Sequence, residues 1–155
     1  AFINFMNPPP LSIIWAESHH VDDIVRIRES APANRLSPLS VHEIQICIKE
    51  FFILALEQEI IGCFRLLSLH EYTNTLELGS LAVDPFHWWH GYSEYILNFA
   101  EEYADKECMT LIAVTDNPGL EKKFLARGWQ DSGDAYSERA LRSGGKRLYA
   151  RLSKF

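Results

Sequence analysis

The sequence predicts a mixed α/β fold. Three observations support this class: one strand hairpin, and two strands that are each followed by a helix. The hairpin strands are Phe52–Leu56 and Ile60–Leu69, and the strand–helix pairs are Leu76–Val83 with residues 91–105 and Leu111–Val114 with residues 120–127. Hairpins favour antiparallel neighbours, whereas strand–helix units favour parallel ones, so both kinds of neighbour are expected in one helix-covered sheet.

The length favours one domain. A chain of 155 residues with 47% hydrophobic residues fills one core and is too short for two ordinary domains. The stiff segment Asn7–Pro10 contains three consecutive prolines and cannot enter the centre of a sheet. We therefore predict an N-terminal leader over residues 1–10 and a single domain over residues 11–155.

The remaining elements follow from periodicity and turn signals. In chain order they are a strand over Ser12–Ala16, a helix capped by Ser18, a loop over Ala31–Ser40, a helix over Val41–Phe51 and a closing strand over Lys146–Leu152. Within the long helix of residues 91–105, the spacing predicts that Tyr95, Ile96, Phe99 and Tyr103 face the core.

Charge and composition argue against several classes of partner. The net charge is −6 and Lys and Arg do not cluster, which disfavours nucleic acid, while a cationic or amine substrate is compatible. No apolar run approaches the roughly 20 residues of a membrane span, and the N-terminus lacks the features of a secretory signal. A cytoplasmic protein is expected.

Cysteine and histidine give no metal or disulfide signal. Cys47, Cys63 and Cys108 are odd in number, far apart and set in apolar stretches, so we interpret them as small buried hydrophobic residues. The six histidines are scattered without ligand spacing, and no metal site is predicted.

The most informative stretch, Leu76–Tyr95, is predicted to form a strand, a turn containing Gly91 and the start of a helix. A helix N-terminus offers about four unpaired N–H donors and a partial positive charge. Such a turn is a ready phosphate or pyrophosphate site, although a single glycine before a helix is also typical of an ordinary turn.

Two motifs resemble signatures of the GNAT superfamily of acyl-CoA-dependent N-acetyltransferases. The loop Trp88–Ser93 is similar to the family's Arg/Gln-x-x-Gly-x-Gly/Ala: Gly91 is kept, Ser93 is a small substitute, and Trp88 stands where the family has Arg or Gln. The segment Phe124–Trp129 is similar to the family's helix-ending aromatic-x-x-x-Gly-aromatic signature. The resemblance implies a mostly antiparallel sheet of about six or seven strands flanked by about four helices.

The resemblance further implies acetyl-CoA as the co-substrate and direct attack of a primary amine on the thioester in a ternary complex. In the family, strand backbone pairs with pantetheine and loop amides hold the pyrophosphate. The residues implied to bind the cofactor are Leu81, Ala82, Val83, Trp88, Trp89, His90, Gly91, Tyr92, Ser93, Asn117 and Phe124. His87 or His90 is a candidate replacement for the missing Arg, and both are equally consistent with solvent-facing loop residues. Asn117 is also consistent with a helix cap.

Glu77 is the candidate general base, because an ionised carboxylate in an apolar strand is costly to bury without a reason. In the family a Glu five residues before the Ala of the Ala-Val strand end often has this role, and Glu77 and Ala82 have that spacing. The alternative is a strand-entry Glu that faces solvent or pairs with Lys. Gly79 is predicted to mark a bulge, which in the family splays the strand from its neighbour to make room for pantetheine.

Phe124 occupies the position where many relatives have a Tyr that protonates the CoA thiolate. Phenylalanine has no proton to give, so water is expected to take this role. Tyr92 and Tyr149 are candidate substitutes without positional support.

The acceptor is expected to be a small-molecule amine or an amino acid. The subgroup that looks most similar is the acetyltransferase domain of N-acetylglutamate synthase type, for which Arg65, with Arg147 or Arg151, is a candidate carboxylate ligand. Each of these arginines is equally consistent with a surface charge.

A protein N-terminus or lysine remains an alternative acceptor, and a homodimer remains open. The alternative function is a catalytically impaired GNAT-fold module that binds acyl-CoA or a protein partner, with Trp88 and Trp89 at an interface.

Overall fold

The computed structural model describes residues 11–31, 36–88 and 90–154. The predicted leader over residues 1–10 and the predicted site residue Trp89 therefore lie outside the described residues. The strands are β1 Leu11–Trp15, β2 Phe51–Leu56, β3 Glu59–Ser68, β4 Thr75–Val83, β5 Thr110–Thr115, β6 Gln130–Asp131 and β7 Arg147–Arg151. The helices are α1 Val21–Glu29, α2 Val41–Ile46, α3 Tyr92–Lys106, α4 Pro118–Ala126 and α5 Ser137–Arg142, with 3-10 turns at Ser18–His20, Ile48–Glu50 and Pro85–His87.

The strands form one seven-stranded sheet in the order β1-β2-β3-β4-β5-β7-β6 over the described part of the chain. The sheet is mostly antiparallel, with a parallel pairing between β4 and β5. The predicted mixed α/β class and the GNAT-type element count are confirmed.

By internal contacts the chain divides into two compact units. The N-terminal unit contains the residues up to Arg65 together with Ser80–Phe99, and the C-terminal unit contains Leu66–Gly79 together with the residues from Ala100 onward. The prediction of a single domain over residues 11–155 stays a prediction.

In the N-terminal unit, β1 pairs antiparallel with β2, and β2 pairs antiparallel with β3. The apolar stripe of α1, including Ile24 and Ile27, packs against Phe51 and Ile53 of β2. These side chains are fully buried, which explains why the periodicity of α1 could be recognised from sequence.

Backbone approaches backbone closely at position 62 of the N-terminal unit, and this favours glycine there. A Cβ added there would lie 3.0 Å from the main-chain oxygen of Ala82 and 3.3 Å from Cβ of Leu54. A side chain at this position would therefore force neighbouring strand atoms apart.

In the C-terminal unit, β4 pairs in parallel with β5 from Thr75 opposite Thr110 to Glu77 opposite Ile112. Strand β7 pairs antiparallel with both β5 and β6. On one side of these strands Ile112, Leu148 and Ala150 form a core against which the partly buried Tyr136 and Ala140 pack.

Several local predictions need correction. A 3-10 turn occupies Ser18–His20 before α1, and the main-chain N–H of Glu17 donates to Nδ1 of His20 at 2.9 Å, so Ser18 does not cap the helix. The second helix is shorter than predicted: α2 ends at Ile46 and a separate 3-10 turn follows.

Two burial predictions were also wrong. Tyr95 is 39% exposed, with its hydroxyl donating to the main-chain oxygen of Leu11 at 3.1 Å, so it does not belong to the core face of α3. Cys108 is exposed and Cys47 is half-buried, leaving Cys63 as the fully buried thiol; all three cysteines are free. Cys108 lies in the left-handed turn after α3, with φ of 55°, and its side chain is outside the core.

Candidate functional site

The buried carboxylate of Glu77 is engaged by a guanidinium group from α5. Glu77 is 8% exposed. Nε of Arg139 donates to its Oε1, and Nη2 of Arg139 donates to its Oε2 at 2.8 Å. This forked pairing supplies the counter-charge that a buried carboxylate requires. Glu77 neither faces solvent nor pairs with a lysine, so both predicted alternatives are wrong. Its partner is Arg139.

The start of α5 is held in place from outside the helix. The residue before it, Tyr136, makes no side-chain cap, and the main-chain N–H of Arg139 instead donates to the hydroxyl of Tyr72 at 3.3 Å. The rings of Tyr72 and Tyr136 meet edge to face, with centroids 4.9 Å apart. A first-turn N–H would otherwise lack a partner, so Tyr72 fixes the turn that carries Arg139.

The backbone irregularity in β4 lies at Ser80, one residue after the predicted Gly79. Ser80 has φ of 52°, a left-handed conformation that is unusual for a residue other than glycine. The hydroxyl oxygen of Ser80 accepts a hydrogen bond from Nη1 of Arg28, and its main-chain oxygen accepts one from Sγ of Cys63 at 3.7 Å. These contacts hold a conformation that glycine would adopt without support.

The strand end and the loop that follows it lie in the N-terminal unit. Asp84 caps the 3-10 turn by accepting from the N–H of Phe86 at 3.0 Å. The indole Nε1 of Trp88 donates to the main-chain oxygen of Val83 at 2.7 Å. The loop is thus tied to the end of β4 through the side chain that replaces the family's Arg or Gln.

The two loop histidines differ in environment. His90 is exposed, with Nδ1 3.2 Å from the main-chain oxygen of His87, and its ring stacks on Tyr92 with centroids 5.6 Å apart. His87 is half-buried, and its Nδ1 is buried without a hydrogen-bond partner among the described residues. An orphaned ring nitrogen beside a candidate phosphate loop fits a polar ligand better than a plain turn.

Gly91 immediately precedes α3 and has φ of 76°. A Cβ added there would meet no described atom within 4 Å, so backbone conformation, rather than space, selects glycine at this position. The first helical hydrogen bond runs from the N–H of Tyr95 to the main-chain oxygen of Gly91 at 3.3 Å. The N–H of Trp88 donates to the main-chain oxygen of Pro85 at 3.3 Å, and the role of the loop amides in holding a phosphate stays a prediction.

Other predicted cofactor residues lie in the C-terminal unit. Asn117 caps α4, accepting from the N–H of Gly119 at 3.0 Å, so its helix-cap role is realised. Phe124 is fully buried, stacked on Trp129 with centroids 4.3 Å apart and 5.7 Å from the ring of Tyr149.

The hydroxyl of Tyr149 donates to Oε2 of Glu121 at 2.8 Å. Burial and this carboxylate raise the pKa of Tyr149 above its ordinary value.

The candidate acceptor arginines have different surroundings. Arg65 is half-buried and pairs with Glu50, its Nη2 donating to Oε1 at 2.7 Å. Arg151 is buried and donates to both oxygens of Asp105, at 2.9 and 3.0 Å, which makes it a structural residue rather than a substrate ligand. Arg147 is exposed.

Arg28 belongs to the same electrostatic cluster as Arg65. Burial lowers the pKa of Arg28 from its ordinary value, and the nearby charge of Arg65 acts in the same direction. Nη2 of Arg28 donates to the main-chain oxygen of Ser37 at 2.6 Å. Arg65 is paired with the carboxylate of Glu50, whereas Arg28 donates to the neutral oxygens of Ser80 and Ser37.

Sequence reasoning missed Arg139 and Arg28. Arg139 is 62 residues from Glu77, and its helix of six residues is too short to give a clear periodic signal. Arg28 lies at the end of the recognised helix α1, where a basic residue is typical of a helix C-terminus and attracts no attention.

The predicted site residues are divided between the two units. The strand residues Leu81, Ala82 and Val83, the loop and Arg65 belong to the N-terminal unit, whereas Glu77, Asn117 and Phe124 belong to the C-terminal unit.

In the ranges that the structure describes, there is no group of three or more His, Cys, Asp or Glu side chains that could hold a metal ion. Over the same ranges no helix is both long and apolar enough to cross a bilayer.

Comparisons with known proteins agree with this architecture. The chain is similar to N-acetylglutamate synthase from Neisseria gonorrhoeae, solved with coenzyme A and N-acetyl-glutamate: the TM-score is 0.82 at 25% identity, over 96% of this chain and 36% of the synthase. The chain thus spans about a third of the length of that relative. No curated protein matches.

Two shorter enzymes share the fold over nearly their whole length. Ribosomal-protein-S18-alanine N-acetyltransferase from Escherichia coli has a TM-score of 0.72 at 16% identity, covering 94% of this chain and 96% of that one. PaiA N-acetyltransferase from Thermoplasma acidophilum, solved with coenzyme A, has a TM-score of 0.73 at 14% identity, covering 92% and 98%.

A family model also matches the sequence directly. Residues 21–128 match the acetyltransferase (GNAT) family, a span that runs from α1 to the glycine after α4 and includes Glu77 and the loop of Gly91. The resemblance inferred from the two motifs is confirmed, and this chain belongs to the acetyltransferase (GNAT) family.

Proposed function

We propose that the protein transfers an acetyl group from acetyl-CoA to the nitrogen of a primary amine. The observation that carries the proposal is the arrangement along β4: a buried carboxylate at Glu77, an irregular backbone at Ser80, and a strand end that leads into Gly91 at the start of the longest helix. A carboxylate and a phosphate-binding helix start, linked by one strand, are what acetyl transfer in this family uses.

Acetyl-CoA binds through main-chain groups more than side chains in this proposal. By the family's pattern, the backbone of Leu81, Ala82 and Val83 pairs with pantetheine, and the amides of residues 89–93 hold the pyrophosphate. The left-handed Gly91 fits this ligand, as does Nδ1 of His87, which has no hydrogen-bond partner among the described residues. The absence of Lys and Arg from residues 84–93 removes a charge-assisted contact and predicts weak binding. Relatives solved with coenzyme A support the choice of cofactor.

The chemistry needs a free amine, which Glu77 supplies by taking a proton from the ammonium form directly or through one water. The amine nitrogen then forms a bond to the thioester carbonyl carbon, and the carbon–sulfur bond breaks as the tetrahedral intermediate collapses. After the attack the nitrogen loses its second proton to water, and water returns a proton to the departing thiolate, because Phe124 has no proton to give. The products are the N-acetylated amine and the free CoA thiol. Both substrates are bound together, and no acetyl-enzyme forms.

The acceptor is an amine that carries a carboxylate, such as an amino acid. Arg28, which donates to the neutral oxygens of Ser80 and Ser37, and Arg65, which pairs with Glu50, are the candidate partners for that carboxylate. The similarity to an N-acetylglutamate synthase supports this class without selecting glutamate.

The first test is a thermal shift of the purified protein across an acetyl-CoA titration. A ligand that binds only the folded state adds about 2.7 kcal/mol at a hundredfold excess over Kd. A saturating rise is expected and leads to a panel of amino acids and simple amines, assayed by release of free CoA thiol. An absence of any shift up to millimolar acetyl-CoA would contradict the enzyme proposal and favour the interaction module.

A second test separates Glu77 from the cofactor site. Glu77→Gln should lower turnover by about 100-fold or more, the usual range for general acid–base catalysis, while leaving CoA affinity unchanged. An unchanged rate would remove Glu77 from the mechanism without disproving acetyl transfer.

A further inference from the structure

We propose that Arg139 is a positioning residue for the acetyl-transfer reaction, holding the Glu77 carboxylate in one fixed orientation for its role as general base. The inference rests on the proposed function, and it extends that function to α5, outside the residues matched by the family model.

The geometry of the pair supports positioning. Arg139 uses its Nε and Nη2, so each carboxylate oxygen of Glu77 accepts one bond from the same planar group. Two parallel bonds fix both the direction and the rotation of a carboxylate, which a single bond cannot do. An ionised carboxylate has about four acceptor sites, so the pairing leaves room for a bond from an amine or a water.

Arg139 is itself well fixed. Its side chain is 16% exposed, its main-chain N–H is bonded to Tyr72, and the following residue, Ala140, packs into the core of the C-terminal unit. Glu77 has the matching restraint, because it lies within the part of β4 that pairs with β5. The two charges are therefore held by separate elements that meet through one forked contact.

The same helix provides a matched control. Arg142, one turn later, pairs with Glu71 through Nη2, and the two side chains are 54% and 31% exposed. This pair joins α5 to the segment before β4, as the first pair joins α5 to β4, but it does not touch Glu77. The hydrogen bond to Glu71 raises the pKa of Arg142, and the charge of Glu77 acts in the same direction at longer range. Removing Arg142 therefore removes an ion pair of α5 and a nearby positive charge, while both hydrogen bonds from Arg139 to the Glu77 carboxylate stay in place.

The experiment compares R139A, R139K, R142A, E77Q and the double variant E77Q/R139A in the acetyl-transfer assay with the best amine found for the wild-type protein. R139A should lower kcat at least about tenfold, because small misplacements of catalytic groups are costly, with little change in CoA affinity. R139K should recover part of the loss, since lysine restores charge but not the fork. R142A should keep wild-type kcat.

Chemical rescue is a measurement that would give no response if Arg139 had only a structural role. Guanidinium chloride, below unfolding concentrations and compared with sodium chloride at equal ionic strength, should restore kcat in R139A but not in E77Q/R139A. Rescue that does not depend on Glu77, or a wild-type kcat in R139A, would overturn the proposal. If R139A fails to fold, R139K carries the test: wild-type kcat in that variant would overturn it, and a reduced kcat with unchanged CoA affinity would support it.

The outcomes also separate this proposal from the broader one. A wild-type protein that acetylates no amine in the panel contradicts the proposed function and removes the basis for a positioned base. An active wild-type protein with an unaffected R139A contradicts the role of Arg139 alone.

Discussion

The indole nitrogen of Trp88 donates a hydrogen bond to the main-chain oxygen of Val83 at 2.7 Å, which ties the first residue of the candidate phosphate loop to the end of the preceding strand. Val83 is one of three strand residues expected to pair with pantetheine, and Trp88 stands where the family has Arg or Gln. Trp88 thus makes a contact within the protein at the position where an Arg or Gln of the family is expected to contact the pyrophosphate. The charge that an Arg would contribute is missing at this position.

Replacing Trp88 by arginine should therefore tighten CoA binding. A charge-assisted hydrogen bond contributes about 1.5–3 kcal/mol, so Trp88→Arg is expected to lower the CoA Kd roughly tenfold or more in calorimetric titration. Trp88→Phe removes the indole N–H without adding charge and is the control. Equal affinities for the two variants would show that the missing charge does not limit binding.

Gly91 and Gly128 are a matched pair of positions that separates an effect on the loop from an effect on stability. Both have positive φ, 76° and 87°, and an added Cβ at either position meets no described atom within 4 Å. Alanine at either position should cost about 1–2 kcal/mol of unfolding free energy, because left-handed backbone is strained with a side chain. Only Gly91→Ala should also weaken CoA binding, measured by titration. A similar loss of affinity in Gly128→Ala would assign the effect to stability rather than to the loop.

Acid should destabilise the C-terminal unit through two carboxylates. Burial alone would raise the pKa of Glu101, but hydrogen bonds from Arg127 and Trp129 outweigh it, and that pKa lies below its ordinary value of 4.5. The hydrogen bonds from Arg151 lower the pKa of Asp105 below 3.8.

Groups with depressed pKa values stabilise the fold above their unfolded pKa, and that contribution is lost as pH falls through the folded pKa. Thermal unfolding temperatures should therefore begin to fall below about pH 4.5. Glu101→Gln should be less stable at neutral pH and should lose less on acidification. Glu102→Gln, at the exposed neighbouring position, should follow the wild-type curve. Parallel acid curves for Glu101→Gln and the wild type would contradict the assignment.

The three thiols should react at different rates. Burial raises the pKa of Cys63 to about 12, so this thiol has almost no thiolate at neutral pH. Cys47 is half-buried, its thiol donates to the main-chain oxygen of Glu43 at 3.0 Å, and burial also raises its pKa. An aromatic disulfide reagent should label one thiol rapidly, that of the exposed Cys108. The variant Cys108→Ser should lack this rapid labelling. Rapid labelling of Cys63 without denaturant would contradict its burial.

Local pattern predicted much of this fold. The strands and the long helix were recognised because their apolar residues recur at the period of the element, as in Phe51–Leu56 and Tyr92–Lys106. Most element ends shifted by a residue or two, which is normal where hydrogen bonding frays, but α2 ends at Ile46 rather than at the predicted Phe51. The two-residue strand β6 and the short helix α5 were missed, since neither is long enough to show a period.

The site was less predictable than the fold. Glu77 could be selected because a charge in an apolar strand is unusual, but its partner Arg139 is chosen by tertiary structure and has no spacing rule. The irregularity of β4 was assigned to Gly79 because glycine most easily adopts unusual backbone, whereas Ser80 adopts it with support from Arg28. In both cases, the partner of Glu77 and the conformation of Ser80, the structure depends on a side-chain contact between segments that are distant in the sequence, which local propensity does not reveal.

The short distances between a side chain added at Gly62 and its neighbours affect how inherited or selected variants at this position are interpreted. A methyl group there presses on the carbonyl of Ala82, the middle residue of the stretch assigned to pantetheine. A genetic screen that scores acetylation would rank position 62 beside the catalytic positions, although no chemistry occurs at it. The defect would be a displaced strand, and a smaller side chain at Leu54 would not relieve it, because the atom nearest the added carbon is the main-chain oxygen of Ala82.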